Sequence, residues 1–158
     1  MLHLLFVCTG NTCRSPMAEM IARKVLEEAK IDSEIASAGI RAFDGIPWSE
    51  HTRTIACEEG WETLGHSSRK LTTELVAWSD LLLVMSQRHL QSIRQSYADQ
   101  DLTRKVFLLK QYLGEVRASS GDVRDPYGEN IYAYREVARE LATLLSLLPQ
   151  TLLKNGLV

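Results

Sequence analysis

The chain has 158 residues with 18 basic and 20 acidic side chains, a formal net charge of -2. That length fits one domain, residues 1–158, able to bury a core without staples. The charge balance leaves no footprint for nucleic acid or a membrane surface, so any anion binding must be local. Three cysteines make no disulfide framework and point to a reducing, cytoplasmic setting.

Leu2 to Val7 reads as a short buried strand, too brief for a secretory core, so neither a signal peptide nor a membrane span is expected. Ser15 to Lys30 reads as a helix with Met17, Ile21 and Val25 on one stripe and Pro16 in its first turn. Glu34 to Ala38 is a second strand ending at Gly39. Asp44-Gly45 and Pro47 then mark a loop, with Phe43 and Trp48 as possible pocket walls, before a helix from about Ser49 to Glu59. Asp80 to Met85 is a third strand, and Ser86 caps a helix turning Leu90, Ile93 and Tyr97 inward. Val106 to Leu109 is a fourth. Glu115 to Ser120 reads as a solvated loop. Tyr134, Val137, Ala138, Leu141, Leu144, Leu145 and Leu148 recur at helical spacing, predicting a long closing helix that ends near Pro149, with Arg135, Glu136, Arg139 and Glu140 on its wet face. Strands alternating with helices imply a parallel sheet with helices on both faces and a ligand beyond the carboxyl ends of the strands.

Cys8 lies at such an end. The run Cys8-Thr9-Gly10-Asn11-Thr12-Cys13-Arg14-Ser15-Pro16 takes a strand through a tight turn into a helix start. Unpaired N–H groups and the positive end of the helix dipole gather there. A thiol in that position is expected to ionise easily, and the same N–H groups suit a phosphate. Gly10 and Asn11 both tolerate left-handed backbone. Arg14 supplies a bidentate fork for phosphate oxygens. Ser15 can hydrogen-bond the Cys8 sulfur, cap the helix, or both. Alone, a cysteine five residues before an arginine is a permissive pattern; the flanking strand and helix give it weight.

Asp125, held extended by Pro126 in a glycine-bearing loop, is the candidate proton donor, with Asp122 in reserve. The bland reading of this segment is a plain turn. Cys13 is either small apolar packing or a thiol placed to capture oxidised Cys8 as a reversible disulfide. Cys57 reads as core or helix surface. His66 reads as a structural histidine or a support for the Asn11 turn. A metal site from the cysteines and histidines is disfavoured, because no second ligand pair follows Cys8 and Cys13.

The segments Phe6 to Glu19, Ser37-Ala38-Gly39 and Asp125-Pro126 together resemble the low-molecular-weight protein tyrosine phosphatase family, in family order and over nearly the whole chain. The resemblance implies Cys8 as nucleophile, Arg14 as phosphate clamp, Asp125 as general acid then base, and Ser37 and His66 as supports for Asn11. It implies an α/β three-layer sandwich with a four-stranded parallel sheet in order 2-1-3-4 and the phosphate-binding loop after strand 1. Thr9, Gly10, Asn11, Thr12, Cys13, Ser15 and Tyr127 are then the substrate-binding set, and no cofactor or metal is implied.

Tyrosine-directed members usually carry an apolar branched residue where Thr12 stands, and paired aromatics after Asp-Pro. Thr12 and Tyr127-Gly128 look more like the bacterial protein arginine phosphatase branch, which usually has phenylalanine at the Tyr127 position. The expectation is a monomeric, cytoplasmic phosphatase of phosphoarginine in proteins. Tyrosine phosphatase activity is the alternative, with a thiol-dependent arsenate reductase or a silent phosphate-binding module behind it.

Overall fold

The computed structural model describes every residue except 62, 64 and 115–120, so the loop expected at Glu115 to Ser120 lies outside the described residues. In chain order the elements are β1 Leu2–Cys8, α1 Arg14–Glu28, β2 Ser33–Gly39, α2 Glu50–Glu58, α3 Thr73–Trp78, β3 Leu81–Val84, α4 Gln87–Ser96, β4 Val106–Leu108, α5 Leu109–Tyr112, α6 Ile131–Leu145 and α7 Leu148–Lys154. The four strands form a parallel sheet in order β2-β1-β3-β4, as expected. No described helix is long and apolar enough to cross a membrane.

The pleat explains why β1 is apolar without alternation from Leu4 to Cys8. Successive side chains point to opposite faces of a strand, and both faces of this sheet are covered. Leu4, Phe6 and Cys8 share one buried cluster with Met17 of α1, Leu141 of α6 and Leu152 of α7. Leu5 and Val7 share the other with Val76 of α3 and Leu90 and Ile93 of α4. The same division runs through β3, where Leu81 and Leu83 join the first cluster and Leu82 and Val84 the second. Truncating one of these fully buried leucines to alanine costs about 2–5 kcal/mol.

Three features depart from expectation. Helix α1 starts at Arg14, with Cys13 at its N-cap and no side-chain cap, so Ser15 is not the cap and its hydroxyl serves elsewhere. The closing helix stops at Leu145, and Pro149 opens α7 instead of ending α6. Proline lacks an N–H that a first helical turn does not use, so it starts a helix as readily as it stops one. Because Leu148 and Leu152 are both buried, the apolar pattern runs on through the break. The short helices α3 and α5 were not anticipated; α3 is capped by Thr72, which accepts from Leu75 N. Ser86 caps α4 as expected, accepting from His89 N, and Ser49, read only as the approximate start of its helix, caps α2 by accepting from Thr52 N.

Candidate active site

Cys8 is the last residue of β1, paired in register with Gly39 of β2, and the chain turns there into α1. The turn is fixed from outside through its carbonyls. Cys8 O accepts from Ile40 N, Thr9 O from Arg41 N, and Thr12 O from Ser49 N and from the Thr52 hydroxyl. With its oxygens held outward, the loop turns N–H groups inward, and Asn11 N donates to the Cys8 sulfur at 3.3 Å. Among the described residues, no acceptor takes the N–H of Gly10, Thr12 or Cys13. Such a ring of free N–H groups is an anion nest.

The left-handed residue in the turn is Asn11, at φ 54°, while Gly10 does not adopt positive φ. The expectation that both glycine and asparagine enable the turn is therefore half right. The strain at Asn11 is held by its side chain, which is fully buried and uses every polar group. Nδ2 donates to the Ser15 and Ser37 hydroxyls, both at 2.9 Å, and Oδ1 accepts from Arg69 N at 2.9 Å. Ser37 in turn donates to the buried carboxylate of Glu19, which pairs with Arg23 at 2.7 Å. Ser37 thus supports Asn11 as the family resemblance implied, but His66 does not touch it. His66 stacks on Trp48 and sits 3.9 Å from Glu19; the direct support comes from the Arg69 backbone, to which no sequence pattern pointed.

Ser15 Oγ lies 2.9 Å from the Cys8 sulfur. Having accepted from Asn11, it has one hydrogen to give, and a thiolate is a better acceptor than the Ala38 carbonyl at 3.4 Å. Arg14 is buried and aimed by two contacts: one nitrogen donates to Val123 O at 3.1 Å and another meets Asp125 Oδ2 at 3.3 Å. The acid loop is held in its turn. Val123 N donates to Met85 O at the end of β3, and Glu129 N to Pro126 O. Asp125 Oδ1 accepts from Tyr127 N, and Arg124 binds Glu129 and Glu136. Gly121 has φ 67°, and a Cβ there would lie 2.7 Å from Leu108 Cδ2. The Asp125 side chain remains half exposed. Asp122 accepts from Gln87 N at the start of α4 and does not line the cavity.

These parts surround a cavity of about 300 Å³ whose walls include Cys8, Thr9, Gly10, Asn11, Thr12, Cys13, Arg14, Asp125 and Tyr127. Ser15 lies behind it, against the sulfur. Phe43 and Tyr127 stand at the rim, 78% and 74% exposed, whereas Trp48 is core and forms no wall. Arg41, Ala42, Ile46 and Ser68 complete the lining. The Cys13 sulfur lies 3.2 Å from Tyr134 OH, and burial followed by that contact pushes the Tyr134 hydroxyl up to about 12. The sequence reading also missed His89, 2.8 Å from the Thr9 hydroxyl. Its one available signal was its place in the first turn after β3, at the sheet end that carries Cys8.

Comparisons with known proteins place the chain among phosphatases of similar sequence and fold. The sequence model of the low molecular weight phosphotyrosine protein phosphatase family matches residues 3–157. The chain is similar to the protein-arginine-phosphatase of Bacillus subtilis, 38% identical over 154 residues, which are 98% of this chain and 99% of that protein. It is also similar to the low molecular weight protein-tyrosine-phosphatase PtpB of Staphylococcus haemolyticus, 35% identical over 91% of this chain and 95% of that one. Among solved structures, YwlE arginine phosphatase, as a cysteine-to-serine mutant with a phosphorylated active-site serine, superposes with a TM-score of 0.88 at 37% identity, covering 97% of each chain.

Proposed function

The chain belongs to the low molecular weight phosphotyrosine protein phosphatase family, and from that premise we propose that it is a cysteine-dependent phosphatase of phosphoarginine in proteins, with residues 1–158 as one catalytic domain. The observation that carries the reading is the convergence on one cavity of the Cys8 sulfur, with its N–H and hydroxyl partners, and the Arg14–Asp125 pair.

The reaction proceeds in two displacements. The Cys8 thiolate forms an S–P bond as the phosphorus–nitrogen bond breaks, and the Asp125 carboxyl gives its proton to the departing guanidine nitrogen. Arg14 and the loop N–H groups hold the equatorial oxygens, where charge gathers. Water then attacks phosphocysteine and passes a proton to the Asp125 carboxylate, while the S–P bond breaks to return the thiolate. Neither step calls for a cofactor.

Thr12 on the cavity wall supports phosphoarginine, because its hydroxyl can accept from a guanidine N–H that would otherwise lose about 1–3 kcal/mol unpaired. The identity to a protein-arginine-phosphatase supports it too. The aromatic rim of Phe43 and Tyr127 favours phosphotyrosine as the second reading. Cys13, which shares the loop with Cys8, is the thiol that would close a reversible disulfide on oxidised Cys8; the structure holds both in the free form. We infer a cytoplasmic monomer acting on phosphorylated proteins, without nucleic acid or membrane partners; the near balance of 18 basic and 20 acidic side chains supports the last part of that reading.

The test compares turnover of phosphoarginine and phosphotyrosine peptides by the same preparation. The phosphoarginine peptide should be preferred, and Thr12→Ile should move the preference about tenfold toward phosphotyrosine. Equal selectivity in both forms removes Thr12 from the reasoning, and turnover surviving Cys8→Ser removes the mechanism.

A further inference from the structure

A buried imidazole touches the phosphate loop without taking part in either displacement. His89, in the first turn of α4, is 5% exposed, and its Nε2 lies 2.8 Å from Oγ1 of Thr9, 80 residues earlier in the chain. Its Nδ1 is sealed from solvent and has no partner among the described residues. The ring is neutral at pH 7, since burial first and the Arg14 guanidinium second push His89 down to about 4, against smaller opposing effects of Asp122 and Asp125.

A neutral imidazole carries one hydrogen, and the surroundings decide which nitrogen holds it. On Nδ1 it would be a buried donor with nothing to receive it, which proteins rarely leave. On Nε2 it is donated to Thr9. The Thr9 oxygen then acts as acceptor toward His89, so its own hydrogen turns elsewhere. Thr9 is exposed and lines the cavity next in sequence to Cys8, so a hydroxyl hydrogen turned away from His89 has the cavity within its reach. We propose that His89 is a positioning residue that fixes the Thr9 hydroxyl as a hydrogen-bond donor to the phosphoryl group seated in the cavity.

This inference rests on the phosphatase reading of the same site, and its test separates the two. Hydrolysis of para-nitrophenyl phosphate is measured for the intact enzyme, His89→Leu, Thr9→Val, their double variant, His89→Gln and Cys8→Ser. His89→Leu should lower kcat/KM about tenfold, or about 1.4 kcal/mol. Thr9→Val should match it, and the double variant should fall no further, because both remove the same hydrogen bond. Glutamine, whose amide reaches a comparable distance and can donate, should restore activity to within about threefold. Additive losses approaching a hundredfold, or a glutamine variant as poor as the leucine one at an intact melting temperature, overturn the proposal while leaving the phosphatase reading standing. If His89→Leu does not fold, His89→Asn replaces it; asparagine is a methylene too short, and equal activity of Asn and Gln variants overturns the proposal. Turnover surviving Cys8→Ser overturns the parent reading and this inference together.

Discussion

Adding one methyl group at Gly39 should disable the site without unfolding the protein. A Cβ at Gly39 would lie 2.6 Å from Thr9 O, 2.7 Å from Ala42 Cβ and 2.9 Å from Asn11 N. Two of those atoms are backbone of the phosphate loop, so no side chain can swing aside. Gly39 itself cannot retreat, because its N–H donates to Arg69 O and its carbonyl accepts from Leu71 N. Restoring a contact of roughly 3.5 Å therefore requires the loop to move by about 0.9 Å. Misplacing reacting groups by about 1 Å costs on the order of a hundredfold in rate, and overpacking of this kind costs about 1–3 kcal/mol of stability. Gly39→Ala should thus show kcat/KM for an aryl phosphate lowered about a hundredfold, with a melting temperature lower by about 2–12 °C, at about 2–4 °C per kcal/mol. Gly10 is the internal control. It does not need positive φ, and a Cβ there meets nothing nearer than Thr12 Oγ1 at 3.8 Å, so Gly10→Ala, which keeps the N–H, should cost less than about threefold. Equal losses in the two variants, or a fully active Gly39→Ala, would refute the steric reasoning.

Asp125→Asn keeps the Asx-type contact with Tyr127 N but has no proton to give, so the first displacement should slow by about 10²–10⁴; rapid-mixing measurement of leaving-group release at an unchanged rate would discharge Asp125 from its role. His89 also sets part of the acid limb of stability. Its folded value of about 4 lies below the 6.5 of a free histidine, so between those pH values the unfolded chain binds a proton that the native state refuses. Stability should fall as pH drops from 6.5 to about 4, level off below, and be untouched by His89 above 6.5, for a total of about 2–3 kcal/mol after allowing for partial solvent screening. Urea midpoints at pH 7.5 and 4.5 measure this, and an identical decline in His89→Gln would assign it to other groups.

Local chemistry in the sequence determined the nucleophile loop, because a strand, a turn and a helix start are defined by residues a few positions apart. Leu4 to Val7, Asn11, the Ser86 cap and the apolar face of α6 were all legible on that basis. The Asp125-Pro126 loop was legible as a turn, and its role only through resemblance. The α6–α7 break was not legible, since Leu148 falls on the helical stripe and burial of α7 against α1 decides that the chain bends there. Contacts between distant segments were hidden altogether. Placing β1 at the centre of the sheet, between β2 and β3, brings Gly39 against one side of the phosphate loop and His89 against another, and the Arg69 backbone onto Asn11. Spacing along the chain encodes hydrogen bonds within a turn; the close approach of residues dozens of positions apart exists only once the strands have paired and both faces of the sheet are packed.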